Sequence, residues 1–349
     1  MTRSARQSNM ELLRIIAAFF VVILHFNLYG SGLERSAGIN KETLAILECI
    51  AIPAVNIFMM IAGYFGCKKT EGIPIIRLIR LEIKVIIVYI VMYVITACIE
   101  GGYSLWGMLM AAIPNNYYVT LYIAVMLLSP YVNLVMHKLD NIRLRKFVLV
   151  VVLLFSAYIT LLEELQVLRG KSYGGLNTVG LYGSGSGYTF VNFMMCYIVG
   201  AWLRLDDHIQ NRLSKTKISA IWLVSTLALI IWHHIQPGIE WQYSNIFVII
   251  QAASMVSLFG KTVIKSKLIN TLAPAAFTCF LINIPVILRI DTIRMLEKPV
   301  YVLLIYLVGI FAVIFFVSWI FDEAYGFIEG RIISLVGRNP GTSDEVKKI

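Results

Sequence analysis

Long apolar blocks separated by short polar loops run along the whole chain. Ten of these blocks approach the roughly 20 residues that a helix needs to cross a bilayer. The predicted spans cover residues 11–29, 43–66, 79–99, 118–136, 147–164, 188–204, 217–235, 244–260, 271–290 and 300–321. Only helices suit blocks of this length, because a backbone exposed to lipid must satisfy its own hydrogen bonds. The pattern therefore predicts an all-α polytopic membrane protein with about ten transmembrane helices.

The composition agrees with this class of protein. Of the 349 residues, 59% are hydrophobic and only 14% are charged, and the mean hydropathy is +0.79. A soluble domain of this length needs much more polar surface. We expect residues 1–330 to form a single transmembrane domain in contact with the lipid bilayer, followed by a cytoplasmic tail over residues 331–349.

The basic residues predict the orientation of the chain. The net charge is +10, and most of the 30 lysines and arginines fall in alternate loops. By the positive-inside rule this puts the N-terminus and the C-terminus in the cytoplasm, with the protein in the cell membrane. Because the cations are spread over short loops, no nucleic-acid partner is expected. The five cysteines have neither the even count of a disulfide framework nor the spacing of a zinc site, and we expect no metal.

The first predicted span carries a stripe of ionisable side chains. At about 100° per residue, Glu11, Arg14 and His25 project from one face of the helix. Arg14 and His25 lie roughly 16 Å apart along the helix axis. Ionisable residues are costly inside a membrane, so this face is expected to line the bundle interior or a wet cavity. Two interpretations remain open: interfacial residues with a core histidine, or a functional site in which His25 is the general base.

Two further groups are candidates for chemistry. Arg77, Arg80 and Lys84 follow an i, i+3, i+7 spacing at the inner start of the third span. They are either topology anchors or a cationic mouth for a phosphate-bearing ligand, which suits the fork of an arginine. Glu48 lies in the outer half of the second span, at the expected depth of His25. There its carboxylate either orients the imidazole as a catalytic residue or caps the start of a helix.

The order and spacing of these residues resemble a known family. Glu11-Leu-Leu-Arg14, with His25 eleven positions after the arginine, is similar to the opening of the integral-membrane acyltransferase 3 family, whose members are bacterial O-acyltransferases of surface polysaccharides. Arg77-x-x-Arg80 resembles the paired arginines of that family. Weaker similarity continues through the stretches 55–65, 117–130, 193–201 and 273–283. Ala62 and Asn283 depart from the family pattern, because a serine and a late histidine are common at these two positions.

The resemblance implies transfer of an acyl group, usually acetyl, from cytoplasmic acyl-CoA to a hydroxyl of a cell-surface sugar or polysaccharide. It makes acetyl-CoA the co-substrate and the carbohydrate the acceptor at the outer face. It implies His25 for catalysis and Arg14, Arg77 and Arg80 for acyl-CoA binding, with Glu11, Tyr118 and Tyr122 in support. On depth and spacing, Glu48 is added to the catalytic residues and Lys84 to the acyl-CoA-binding residues. A secondary transporter or flippase is the alternative, since intramembrane charge suits one, although no inverted repeat is visible. A non-catalytic membrane sensor is a third possibility.

Overall fold

A computed structural model describes residues 7–113, 116–179, 185–206 and 212–336, and in this part of the chain the regular structure is helical, without a β-strand. The prediction of an all-α polytopic membrane protein is therefore confirmed. The helices are α1 (Ser8–Leu28), α2 (Gly32–Arg35), α3 (Gly38–Ala51), α4 (Ala54–Gly66), α5 (Ile75–Glu100), α6 (Leu105–Ala111), α7 (Tyr117–Lys138), α8 (Asn141–Val152), α9 (Tyr158–Arg169), α10 (Phe190–Leu205), α11 (Lys215–Ile235), α12 (Ile246–Gly260), α13 (Lys267–Leu272), α14 (Ala275–Ile287), α15 (Ile293–Leu296) and α16 (Val300–Val336).

Seven helical stretches in the described residues are long and apolar enough to cross a membrane, judged by length and composition. Three shorter apolar helices, α10, α12 and α14, coincide with the remaining predicted spans. The seven stretches are Ser8–Leu28, Gly38–Gly66, Ile75–Glu100, Tyr117–Lys138, Asn141–Arg169, Lys215–Ile235 and Val300–Arg331. Each predicted span therefore overlaps an apolar helix, while the number of crossings and the side of each terminus stay predictions.

Two predicted spans are interrupted near their middle. The second is divided into α3 and α4 around Pro53, which precedes the first residue of α4. Proline lacks a backbone N–H and restricts the residue before it, so a helix break is expected there. The fifth contains a π-helical turn, Leu153–Ala157, between α8 and α9. Within this turn Ser156 donates a hydrogen bond of 2.7 Å to the carbonyl of Ser244, which ties the widened turn to the loop before α12.

The last helix is much longer than a bilayer is thick. α16 has 37 residues and is therefore about 55 Å long, against a hydrocarbon core of about 30 Å. The predicted boundary between a transmembrane domain ending at residue 330 and a tail starting at 331 falls inside this helix. Residues 337–349 of the predicted tail lie outside the described residues.

The helix α1 is central and α5 is peripheral. α1 packs against α3, α4, α12 and α14, whereas α5 packs mainly against α6 and α14. Accordingly, 61% of the apolar window of α1 is buried inside the protein, against 17% for α5. The polar stripe of α1 is therefore enclosed by protein, which is the condition under which ionisable residues are tolerated in a span.

Two glycines bring α4 into backbone contact with α10. A Cβ atom at Gly63 would overlap the carbonyl oxygen of Tyr197, and one at Gly200 would overlap the carbonyl oxygen of Met60. Small residues allow this close approach between helices in membranes, where packing rather than hydrophobic burial drives association. Because α4 also packs against α1, the close contact between α4 and α10 helps to set the position of α4 beside the polar stripe.

Candidate functional site

Two cavities follow the polar stripe of α1. The first, the Arg14 cavity, has a volume of about 470 Å³ and contains the ionisable residues near the start of α1. It is lined by Glu11, Arg14, Phe58, Ala62, Leu81, Tyr118, Val119, Tyr122, Ala273, Pro274, Ala276, Phe277 and Phe280. The structure thus brings together Arg14 and the three predicted supporting residues, which come from α1 and α7.

The second, the His25 cavity, is larger, at about 1180 Å³. His25 and Glu48 both line it, so the two predicted catalytic residues share one cavity. Its remaining wall includes Asn27 and eight aromatic residues, namely Tyr29, Tyr89, Tyr93, Tyr117, Tyr188, Trp241, Tyr243 and Phe280. Sequence reasoning did not find this aromatic wall, because its members come from separate helices and loops and no single stretch shows the pattern.

An aromatic partition separates the two cavities. Phe280 is the residue that lines both, and the centroid of its ring lies 5.1 Å from that of Tyr118. Around Tyr118, the rings of Phe193, Phe58 and Tyr122 have centroids at 5.5, 6.3 and 6.2 Å. The stripe of α1 therefore passes from one cavity to the other across a layer of tightly packed rings.

Arg14 is already paired within its cavity. Its Nη1 lies 2.8 Å from both carboxylate oxygens of Glu11, one helical turn earlier. The guanidinium also lies over the ring of Phe65, at 5.6 Å from the centroid. The Arg14 side chain is 33% exposed and that of Glu11 only 10%, so the arginine presents the accessible polar surface. The pair neutralises its own charge yet leaves guanidinium N–H groups facing the cavity.

His25 is held by Asn283 of α14. Its Nδ1 atom is in hydrogen-bond contact with Oδ1 of Asn283, and its ring packs edge-on against Tyr29, with centroids 5.3 Å apart. The sequence marked Asn283 only as a departure from the family pattern. That departure, together with its depth near the end of the ninth span, was the available signal for a role beside His25.

Glu48 does not orient His25 directly, contrary to the sequence-based expectation. Its Oε2 atom accepts a hydrogen bond of 2.6 Å from Nδ2 of Asn27, whose amide also donates to the carbonyl of Leu44 at 3.1 Å. Asn27 follows His25 by two residues and therefore projects from roughly the opposite side of α1. Asn27 faces α3, where Glu48 lies, while His25 faces α14. The predicted depth of Glu48 is consistent with the shared cavity, but the pairing was wrong.

The three cations of the predicted cationic mouth do not have the same surroundings. Lys84 forms an ion pair of 2.8 Å with Asp322 of α16, and the same carboxylate accepts a hydrogen bond of 2.5 Å from Thr278 of α14. Phe277 and Tyr325 place their rings 5.7 and 5.8 Å from the ammonium. Lys84 therefore joins three helices and lines neither the Arg14 cavity nor the His25 cavity.

Arg77 and Arg80 remain available for a ligand. Arg77 is exposed and Arg80 half-buried, and neither forms an ion pair with the residues that the structure describes. Arg77 lies one turn before Leu81 on the same face of α5, and Leu81 lines the Arg14 cavity. The two arginines thus stand close to that cavity along α5 without lining it.

The far wall of the His25 cavity is fixed by a second histidine. His233 stacks on Trp241 with centroids 4.5 Å apart and contacts a carboxylate oxygen of Glu240 at 2.7 Å. The indole N–H of Trp241 points to the sulfur of Cys49 at 3.3 Å. Nearby, in the loop before α12, burial raises the pKa of the Tyr243 phenol well above its usual range. This wall is therefore aromatic, and Trp241 is held in place between His233 and Cys49.

Comparison with known proteins assigns the chain to a family. Residues 7–323, nearly the whole chain, match the family model described as an acyltransferase domain. No curated protein and no solved structure matches the chain. The chain belongs to the acyltransferase 3 family, so it is a multi-pass membrane acyltransferase.

Proposed function

We propose that this acyltransferase moves an acetyl group from cytoplasmic acetyl-CoA to a hydroxyl of a cell-surface sugar or polysaccharide, with His25 as the general base. One observation supports it above the others: Arg14 and His25 lie in two different cavities along one helix, on either side of an aromatic partition. A reaction with a donor on one side of a membrane and an acceptor on the other needs two such compartments.

The donor would enter by way of Arg77 and Arg80. Both are free of ion pairs with the described residues, and an arginine fork suits the phosphates of CoA. The thin pantetheine arm would then extend through the Arg14 cavity and past Phe280 at the partition, so that the thioester carbonyl lies near His25. Arg14 offers it N–H donors, while Glu11 compensates the charge. Lys84 is left out of this donor site, because its ammonium is bound to Asp322.

The acceptor would occupy the His25 cavity. Flat aromatic rings bind the apolar faces of sugar rings, and convergent polar groups then fix the hydroxyls. Trp241, held by His233, and the exposed Tyr188 offer such surfaces. The aromatic and hydrogen-bonding groups of this cavity therefore suit the binding of a neutral or weakly charged carbohydrate at the cell membrane.

The chemical step needs one proton carrier. His25 Nε2 takes the proton of the acceptor hydroxyl, and the oxygen attacks the thioester carbonyl to form a tetrahedral intermediate. The C–S bond then breaks, and the departing thiolate takes the proton back from the imidazolium. The products are the acetyl ester and CoA with a free thiol, so atoms and charge balance and the histidine is regenerated.

The test is CoA release by the purified protein in lipid nanodiscs. We expect His25→Gln to reduce the release of CoA from acetyl-CoA by at least about 100-fold, because glutamine can bond to Asn283 but cannot take a proton. His137→Gln is the matched control, since the ring of His137 contacts the carbonyl of Cys67 at 2.8 Å and lines neither the Arg14 cavity nor the His25 cavity. Full activity in His25→Gln would overturn the proposed mechanism, and solute transport that does not depend on CoA would favour a transporter.

A further inference from the structure

We infer that Asn283 is a positioning residue that holds His25 in the tautomer with hydrogen on Nδ1, so that Nε2 is the atom that accepts the proton. The inference rests on the proposed function for its catalytic consequence. Its structural part stands on the hydrogen bonds of one amide.

The Asn283 side chain is fixed by its own helix. Its Nδ2 donates to the carbonyl of Cys279 at 3.0 Å and to the carbonyl of Phe280 at 2.7 Å. An amide nitrogen has two hydrogens, so both are used. The residue is fully buried, which excludes water as a competing partner. Rotating the amide by 180° would place Oδ1 against two carbonyl oxygens, all three of them acceptors, and is therefore disfavoured.

The remaining Oδ1 atom faces His25 and can only accept. It is in contact with Nδ1 of His25, and two facing acceptors without a hydrogen between them would repel. A neutral imidazole carries one hydrogen, on one nitrogen or the other. Placing it on Nδ1 satisfies Asn283 and leaves a lone pair on Nε2. The orientation of an amide on α14 thus determines which nitrogen of α1 is the base.

An amide performs this task without adding a charge to the span. A carboxylate at the same place would also accept from Nδ1–H but would bring a second ionisable group against the imidazole, at a high cost in the membrane. Glu48, a carboxylate that lines the same cavity, is instead bound by Asn27. Asn283 therefore binds His25, while a different amide, that of Asn27, binds Glu48.

The experiment compares Asn283→Leu with Asn133→Leu in nanodiscs. Asn133 is a matched control, since it is equally buried and its Nδ2 also donates to two carbonyls, those of Gly66 and Lys69. It contacts Tyr197 rather than His25. We expect Asn283→Leu to lower kcat by about 10- to 100-fold with the KM for acetyl-CoA unchanged, and Asn133→Leu to leave kcat within about twofold.

A direct readout is the ¹⁵N spectrum of labelled histidine, which distinguishes the two tautomers. We expect the wild-type His25 signal, assigned by its loss in His25→Gln, to be that of the Nδ1–H form, and Asn283→Leu to show a mixture. A wild-type Nε2–H form would overturn the inference even if the variant fails to fold. An inactive His25→Gln with unaffected kcat in Asn283→Leu would reject this inference while keeping the proposed function, whereas an active His25→Gln would reject the proposed function itself.

Discussion

The Arg14 cavity and the His25 cavity handle ionisable groups in opposite ways. In the Arg14 cavity the arginine is neutralised by the carboxylate of Glu11, one turn away on the same helix. In the His25 cavity, His25 and Glu48 are held by the neutral amides of Asn283 and Asn27. An ion pair removes net charge, whereas an amide fixes direction and leaves the charge state of its partner free to change.

This difference suits the two halves of the proposed reaction. A site that binds a donor benefits from a cation whose charge is balanced when the ligand is absent. A site that moves a proton needs a group that can gain and lose that proton. A fixed counter-charge would favour the charged form of this group over its neutral form. The comparison therefore predicts different consequences for changes in each cavity and in the partition between them.

The largest effect is expected for Arg14→Ala. It leaves the Glu11 carboxylate, whose side chain is 10% exposed, without its partner, and removal of one member of a largely buried pair costs about 3 kcal/mol. Donor binding should also weaken by about 100-fold. The double variant Glu11→Ala/Arg14→Ala should recover most of the thermal stability but none of the donor affinity. Recovery of both would mean that Arg14 has only a structural role.

The partition gives the next largest effect. Phe280→Ala should join the two cavities and admit water to the thioester, so that acetyl-CoA hydrolysis without an acceptor rises on the order of tenfold. Phe316→Ala is the control, because Phe316 is 58% exposed on α16. Thiol release is measured with and without acceptor. An unchanged ratio of hydrolysis to transfer, in a variant that melts cooperatively, would show that the partition does not exclude water.

The smallest effect is expected for the cations of α5, where Arg77 and Arg80 should behave differently from Lys84. Arg77→Gln/Arg80→Gln should raise the KM for acetyl-CoA by about 3- to 10-fold with little change in melting temperature, since both side chains lack ion pairs with the described residues. Lys84→Gln should instead lower the melting temperature and leave the KM for acetyl-CoA nearly unchanged. It leaves the Asp322 carboxylate, which is 10% exposed, without its cation. Equal KM values in the double variant and the wild type would return the arginines to the role of topology anchors.

Sequence reasoning placed the ionisable side chains of α1 on one face but did not find their partners on other helices. Glu11, Arg14 and His25 were placed on one face because the period of a helix fixes relative directions within a single span. The error with Glu48 was one of rotation: depth can be read from the position in a span, but the direction of α3 relative to α1 cannot. The partner of His25 is 258 residues away, and the sequence alone gives no rotation of α14.

The interruptions of the predicted spans also differ in whether the sequence shows them. Pro53 is visible in the sequence and marks the break between α3 and α4, although the second span was predicted as one helix. The π-helical turn of Leu153–Ala157 has no comparable residue, and it depends on the contact of Ser156 with the loop before α12. The close approach of α4 and α10 depends on Gly63 and Gly200, whose alignment requires both helices to be in place.

The distance along the chain between His25 and Asn283 has a consequence for biosynthesis. α1 leaves the ribosome first, whereas α14 follows after most of the protein has been made. A nascent chain therefore contains its histidine long before it contains the amide that orients it. Under the proposed mechanism the half-made protein cannot transfer acyl groups, and His25 becomes competent as a base only when the late helices insert beside α1.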